Sequence, residues 1–126
     1  MEITAFNPLI VSNEAESTIK LFEELGFEKR HSKTNEVNDN DITTVRMKDS
    51  NGFHVDVAKV PVPKDMTVIR MNVDNFDEAK AILVEHGFVN QNAGQTVETS
   101  SSYSEFMVSP SGFAINLIKH VKKEDK

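Results

Sequence analysis

The residues with the best spacing for chemistry are His54 and Asp56, which stand two positions apart in a β-prone segment. Side chains at positions i and i+2 of a strand lie on the same face. An imidazole and a carboxylate placed in this way could exchange protons with a bound molecule. They could also contact one metal ion, but two donors rarely hold an ion without further ligands. A hydrogen-bonded His–Asp pair without metal is therefore the favoured interpretation.

Arg70 is the second residue of interest, because an inward-facing guanidinium needs an anion. Two partners are open: Asp56 as an internal ion pair, which the cost of desolvation favours, or a carboxylate on a ligand. Covalent chemistry has little support. The sequence contains no Cys, no Gly-x-Ser-x-Gly motif and no glycine-rich phosphate loop.

The composition limits the partners that this chain is expected to have. Its 126 residues suit one domain, and 20 acidic against 14 basic side chains give a net charge of −6, which disfavours a nucleic-acid partner. No run of apolar residues is long enough to predict a membrane span, and the first residues do not resemble a signal peptide. We expect a cytoplasmic protein with a small-molecule ligand, no membrane or nucleic-acid partner and no cofactor.

The elements that position these residues come in two copies. Asn13-x-x-Glu16 and Asn75-x-x-Glu78 stand 62 positions apart, and each resembles a capping box at the start of a helix. Each helical pattern ends at Gly-Phe, at Gly26 and again 61 positions later at Gly87. A capped helix is therefore predicted in each half of the chain.

Short β-prone runs surround both helices, so each half is predicted to be strand, helix, strand, strand, strand. Asn51-Gly52 and Ser111-Gly112 mark tight turns before the last strand of each half. One polar loop is predicted in each half, at Lys33–Asp41 and Ala93–Ser102. The predicted boundaries are module one at about 3–60, a proline linker at about 59–66, module two at about 67–120, and a charged tail at 121–126.

This doubled unit, with Gly-Phe after each helix and Ser109-Pro110-Ser111-Gly112 before the last strand, resembles the vicinal oxygen chelate superfamily of the glyoxalase and bleomycin-resistance type. The resemblance spans about residues 3–119. It implies a single α+β domain in which two tandem βαβββ modules form a curved mixed-sheet cup around a ligand cavity. A ferredoxin-like fold is the competing interpretation, although it would leave one strand over in each half.

Alternation along the strands predicts two faces. The face covered by helices is predicted to carry Leu9, Val11, Val55, Val57, Ile69, Met71, Val73, Ile115 and Leu117. The opposite, mixed face is predicted to carry Phe6, Pro8, Ile10, His54, Asp56, Ala58, Val68, Arg70, Asn72, Ala114, Asn116 and Ile118, and could also receive Tyr103 and Glu105. A mixed face of this kind is typical of a ligand site.

The resemblance also implies four metal-ligand positions, which fall on Phe6, Asp56, Val68 and Asn116. Phe and Val cannot coordinate an ion, and an Asn amide oxygen is a weak neutral donor. No metal is therefore expected.

The leading hypothesis is a metal-free small-molecule binding protein that sequesters a drug or metabolite, with a homodimer implied by the resemblance. Its predicted ligand-binding residues are Phe6, His54, Asp56, Val68, Arg70, Asn72 and Asn116. The alternative is a divergent enzyme of the lyase, isomerase or dioxygenase type, with His54 and Asp56 as its catalytic pair or with a rearranged metal site. A third reading is a structural domain whose cup is filled by its own side chains.

Overall fold

A computed structural model describes the backbone of residues 1–37, 40–90, 97–98 and 102–120, and the side chains of residues 1–32, 43–90 and 103–119. The predicted tail at 121–126 and most of the predicted loop Ala93–Ser102 lie outside the described residues. The elements in chain order are β1 (Ile3–Ser12), α1 (Ala15–Glu24), β2 (Glu28–Val37), β3 (Asn40–Lys48), β4 (His54–Lys59), β5 (Met66–Val73), α2 (Phe76–Glu85), β6 (Val89–Asn90), β7 (Val97–Glu98), β8 (Ser102–Val108) and β9 (Ala114–His120).

This order confirms the predicted α+β class and the two successive strand–helix–strand modules. In the second module two short strands, β6 and β7, stand where the first has one long strand. The chain divides into two compact units, which we call the first unit (Asn7–Val68) and the second unit (Met1–Phe6 with Ile69–Lys126). Neither helix within the described residues is long and apolar enough to cross a membrane.

The sheet of the first unit has the strand order β2-β3-β4-β1, with β1 and β4 parallel and the other neighbours antiparallel. Its core consists of Ala15, Val45, Met47, Val55 and Val57, with Ile10, Ile19, Phe22 and Phe27 packed against it. The predicted loop at Lys33–Asp41 is wrong, because β2 continues to Val37 and β3 starts at Asn40. The polar residues of this hairpin lie at the edge of the unit's sheet, where strands need few apolar side chains.

The face of β1 also differs from the prediction. Ile10 packs into the core beside α1, whereas Leu9 and Val11 stand in register with Asp56 and Ala58 of the opposite face. Three apolar residues in succession, Leu9-Ile10-Val11, carry no alternation, so the pattern could not decide which of them faces the helix. A shift of one residue moves every side chain of a strand to the other face.

The second unit has the strand order β5-β9-β8-β6, and β7 also pairs with β8. Its core contains Met71, Val73, Phe76, Ala79, Leu83, Phe88, Met107, Ile115 and Leu117, with Ile69 packed against it. The predicted helix-covered faces of β5 and β9 are therefore confirmed, as is that of β4 in the first unit. These strands alternate clearly between apolar and polar residues, which is why their faces could be predicted.

The two helices begin differently. The capping box of α2 is confirmed, since the Asn75 side chain accepts a hydrogen bond from the Glu78 amide at 3.1 Å. The predicted box at Asn13 is wrong, because α1 is preceded by Glu14 without a side-chain cap and the Glu14 amide donates to Ser12 Oγ. Both helices end as expected at glycines with positive φ, Gly26 at 110° and Gly87 at 90°.

Candidate functional site

One face of the sheet in the first unit carries Arg46, His54 and Asp56, and we call it the polar strand face. Asp56 lies in the middle of β4. The Asp56 side chain has no solvent-accessible surface, and its Oδ2 lies 3.7 Å from Nη1 of Arg46, whose side chain is 23% exposed. Antiparallel pairing of β3 with β4 places these two residues side by side. Burying a carboxylate is costly unless a cation or hydrogen-bond donors compensate. The ion pair at Oδ2 therefore offsets part of the cost of burying the charge, and part of the guanidinium remains exposed to a ligand.

His54 lies on the same face, two residues before Asp56, and is half-buried. Its register partner on β3 is Lys48. Arg46 and Lys48 on β3 thus stand in register with Asp56 and His54 on β4. This arrangement suits an anionic ligand next to a group that can transfer a proton.

Sequence reasoning missed Arg46, although a signal for it existed. The turn at Asp49–Gly52 is closed by hydrogen bonds from the Asn51 and Phe53 amides to Asp49 Oδ1. A turn of known length sets the register of its hairpin, and this register places Arg46 opposite Asp56. The partner that the first unit provides for Asp56 is therefore a neighbour across the hairpin.

Asn7 is a second residue that the sequence analysis did not select. It is buried, and two positions further along β1 Leu9 stands in register with Asp56, so Asn7 belongs to the polar face. Its Nδ2 donates to the Pro8 carbonyl at 2.9 Å, while its Oδ1 is buried without a donor among the described residues. The incorrect face of β1 explains the omission. Phe6 directly precedes Asn7 in β1, so its side chain lies on the other face of the strand, and it is 62% exposed.

The strand face of the second unit brings together three of the predicted site residues. Arg70 of β5 and Asn116 of β9 are register partners, and Arg70 Nε donates to Asn72 Oδ1 at 3.1 Å. Asn72 is buried, and Asn116 is half-buried. This hydrogen bond orients the guanidinium along β5. Val68, which belongs to the first unit, is buried.

Tyr103 and Glu105 do not lie on this strand face. Glu105 stands in register with the core residue Leu117, so both β8 residues belong to the side covered by α2. They line a cleft of about 410 Å³ in the second unit. The complete lining is Asn75, Phe76, Asp77, Lys80, Tyr103, Glu105 and Lys119. The expectation that Tyr103 and Glu105 could face the cup is therefore wrong.

The residues at the implied metal positions do not suit a divalent cation. Phe6 and Val68 are hydrocarbon side chains, and the one carboxylate, Asp56, carries the Arg46 guanidinium, which would repel an incoming ion. In the part of the chain whose side chains are described, no three His, Cys, Asp or Glu residues are grouped so that they could hold a metal ion. Asn7 would add one neutral amide oxygen, which does not replace the missing charge.

Comparison by sequence finds no relatives, because no family model and no curated protein match this chain. Comparison by structure finds several solved structures with a similar fold. Methylmalonyl-CoA epimerase from Mycobacterium tuberculosis aligns with a TM-score of 0.71 and 14% identity over 97% of this chain and 91% of that one. A single-residue variant of Streptomyces coelicolor methylmalonyl-CoA epimerase, in complex with 2-nitronate-propionyl-CoA, aligns with a TM-score of 0.65 and 16% identity, covering 94% and 98%.

A glyoxalase/bleomycin resistance protein/dioxygenase superfamily member from Vibrio splendidus 12B01 aligns with a TM-score of 0.61 and 13% identity, covering 95% of this chain and all of that one. These likenesses extend over nearly the whole of each chain. The protein therefore has the vicinal oxygen chelate fold that the repeat in its sequence predicted.

Proposed function

We propose that this protein is a divergent small-molecule enzyme that moves a proton on an anionic substrate at the polar strand face of the first unit. The observation that carries the proposal is the buried Asp56–Arg46 ion pair next to the half-buried His54. A buried charge pair is not needed to stabilise a sheet, since apolar residues of similar volume do so at least as well. A function that uses the exposed part of the guanidinium explains why the pair is there.

Each residue has a distinct role in this proposal. Arg46 binds the anionic group of the substrate, because a guanidinium offers several donors in a fixed plane. Asp56 is a positioning residue, since it has no accessible surface with which to touch a ligand. The His54 imidazole takes a proton from a substrate carbon and returns a proton to it.

The structural neighbours support an enzyme more than a sequestering protein. Two of them are methylmalonyl-CoA epimerases, and one of these holds a CoA-linked substrate analogue. Isomerisation by proton transfer falls within the predicted enzyme alternative. A carboxylated acyl-CoA is therefore the first class of substrate to examine.

The remaining predicted features belong to the same proposal. Val68 is proposed as a further ligand contact of the first unit, and Phe6, Arg70, Asn72 and Asn116 are proposed as ligand contacts of the second unit, each unit being taken by itself. The site is proposed to work without a metal. A cytoplasmic homodimer completes the proposal.

Exchange of hydrogen with solvent tests the proposed reaction. Methylmalonyl-CoA is incubated with the protein in deuterated buffer, and mass spectrometry follows deuterium uptake at the carbon between the carboxylate and the thioester. We expect uptake faster than in buffer alone, and a loss of about 100-fold or more in the His54→Gln variant. His86→Gln is the matched control, because His86 is exposed at the end of α2. Exchange at the buffer rate, or full activity of His54→Gln, would contradict proton transfer by His54.

Binding without turnover is the second candidate function, and the complete burial of Asp56 favours it. In that case calorimetry would detect binding of the acyl-CoA while no deuterium is incorporated. Arg46→Met would weaken binding under both candidates, because both assign the anion to Arg46. The exchange rate alone therefore separates the enzyme from the binding protein.

A further inference from the structure

A cleft on the helix-covered side of the second unit is independent of the site proposed above. It has a volume of about 410 Å³ and lies where the first turn of α2 meets β8 and β9. Volumes of this size are within the range of small-molecule sites. Its lining combines the aromatic rings of Phe76 and Tyr103, whose centroids are 6.4 Å apart, with charged groups.

One wall of the cleft is a fixed polar network. The Glu105 side chain is 1% exposed, and its two oxygens accept hydrogen bonds from Lys80 Nζ at 3.0 Å and from Asn90 Nδ2 at 2.7 Å. Each carboxylate oxygen is therefore already engaged. Glu105 fixes the position of the Lys80 ammonium group rather than offering a negative charge to a ligand.

Two of the other groups that line the cleft have capacity for a ligand. Lys119 and Tyr103 are register partners on β9 and β8, so their side chains stand next to each other. Among the described residues, neither the Lys119 ammonium nor the Tyr103 hydroxyl has an ion-pair or hydrogen-bond partner. A cation and a hydroxyl side by side form a receptor for a carboxylate or a similar anion.

The first unit fills the corresponding place with an ion pair. Lys59 stands 60 positions before Lys119, which is the offset between the starts of β4 and β9, and Glu16 stands 61 positions before Asp77, which is the offset between α1 and α2 in the structure. Lys59 Nζ and Glu16 Oε2 are 3.0 Å apart. Aspartate is one methylene shorter than glutamate, and no ion pair joins Asp77 to Lys119 within the described residues. The replacement of Glu by Asp explains why the second unit retains a cleft.

We propose that this cleft binds a small organic anion with an apolar body. The anionic group contacts the Lys119 ammonium and the Tyr103 hydroxyl, and the apolar body packs against the rings of Phe76 and Tyr103. The cleft lies in a different unit from the proposed active site and on the other side of the strands, and the two sites share no residue.

Tyrosine fluorescence tests the proposal, because Tyr103 is the single Tyr of a chain without Trp. The probe is cyclohexanecarboxylate, which does not absorb where tyrosine is excited, and the matched ligand control is the neutral cyclohexanecarboxamide. We expect a saturable change of emission with the carboxylate and none with the amide. Lys119→Gln should weaken apparent affinity about tenfold, as expected for loss of a charge-assisted hydrogen bond.

Two further variants make the test specific. Asp77→Glu keeps the charge of the cleft but should pair with Lys119 as Glu16 pairs with Lys59, and so weaken probe binding. Lys20→Gln removes an exposed lysine of α1 and should leave binding unchanged. Circular dichroism confirms that each variant is folded. The absence of a saturable signal, equal binding of the amide, or unchanged affinity in Lys119→Gln or Asp77→Glu would overturn the proposal.

Discussion

Among the residues whose side chains are described, each unit buries one carboxylate beside a basic partner, but the two carboxylates lie on opposite sides of the strands. In the first unit Asp56 contacts Arg46 on the polar strand face, at 3.7 Å. In the second unit Glu105 contacts Lys80 on the side covered by α2, at 3.0 Å, and also accepts a hydrogen bond from Asn90. The first pair has the longer separation and lies on the polar strand face, whereas the second lies on the helix-covered side and its carboxylate has a further donor in Asn90.

The repeat shows how this difference arose. At an offset of 60 positions, the hairpin pair Arg46–Asp56 corresponds to Phe106–Asn116, and the apolar pair Val45–Val57 corresponds to Glu105–Leu117. Charge has thus been placed on different faces of two equivalent hairpins. The repeat preserves the backbone pattern that the fold needs and diverges at the side chains available for ligand chemistry.

The largest effect on stability is expected from Glu105→Val, which places in the second unit the residue type found at Val45. We expect the free energy of unfolding to fall by about 3 kcal/mol, because the change leaves Lys80 and Asn90 without their buried acceptor. The value lies at the low end for a broken buried pair because Lys80 is 36% exposed and can turn towards water. Urea denaturation measures it.

The double variant Glu105→Val with Lys80→Met is the control for this prediction. It should recover part of the lost stability, because an apolar pair replaces the buried ion pair while Asn90 still lacks its acceptor. A loss below about 1 kcal/mol in the single variant would mean that the network does not contribute to the core.

The glycines that end the two helices offer a second comparison. A Cβ atom at Gly87 would lie 2.7 Å from Pro110 Cγ, whereas at Gly26 nothing is within 4 Å. Gly26→Ala should cost about 1–2 kcal/mol because its φ is positive. Gly87→Ala should cost about 1–2 kcal/mol more, because Pro110 must also move. Equal losses in thermal denaturation would show that the turn at Pro110 yields without cost.

The start of each helix gives a third, smaller contrast. Asn75→Ala should lower the free energy of unfolding by about 1 kcal/mol, since it removes the hydrogen bond to the Glu78 amide. Asn13→Ala should have little effect, because Asn13 does not cap α1. Equal losses in urea denaturation of the two variants would contradict this assignment of the caps.

The smallest effect is expected for the exposed Lys59–Glu16 ion pair, which occupies the place in the first unit where the second unit has the cleft. The hydrogen bond from Lys59 holds the pKa of Glu16 below its ordinary value. Its stabilisation is therefore present above the pKa of the unfolded chain and is lost as the pH falls through the lowered pKa. Glu16→Gln should reduce the loss of melting temperature between neutral and acidic pH, at low salt only. An identical pH dependence in wild type and variant would contradict the pairing.

Much of the fold could be predicted because the same pattern of strands and helix occurs in both halves of the sequence. The glycines after each helix and the alternating residues of β4, β5 and β9 indicate helix ends and strand faces directly. The polar hairpin of β2 and β3 could not be distinguished from a loop, because an edge strand does not need an apolar face.

The candidate site was harder to predict because its contacts depend on register. Leu9-Ile10-Val11 is apolar throughout, so the faces of β1 were predicted the wrong way round and Asn7 was not selected. Arg46 and Glu105 acquire their neighbours only through hairpin pairing. The turn at Ser109–Gly112, in which the Ser109 amide bonds to the Phe113 carbonyl, sets that pairing for Glu105. A prediction of both turn geometries would have placed these two residues correctly.

Substrate is proposed to bind at the polar strand face of the first unit. Nuclear magnetic resonance of the ¹⁵N-labelled protein, titrated with the carboxylated thioester of the exchange assay, tests it most directly. We expect the amide signals of Arg46, His54 and Asp56 to shift in a saturable manner, and Arg46→Met to abolish these shifts. Shifts confined to Tyr103 and Lys119, or no saturable shift at all, would contradict it.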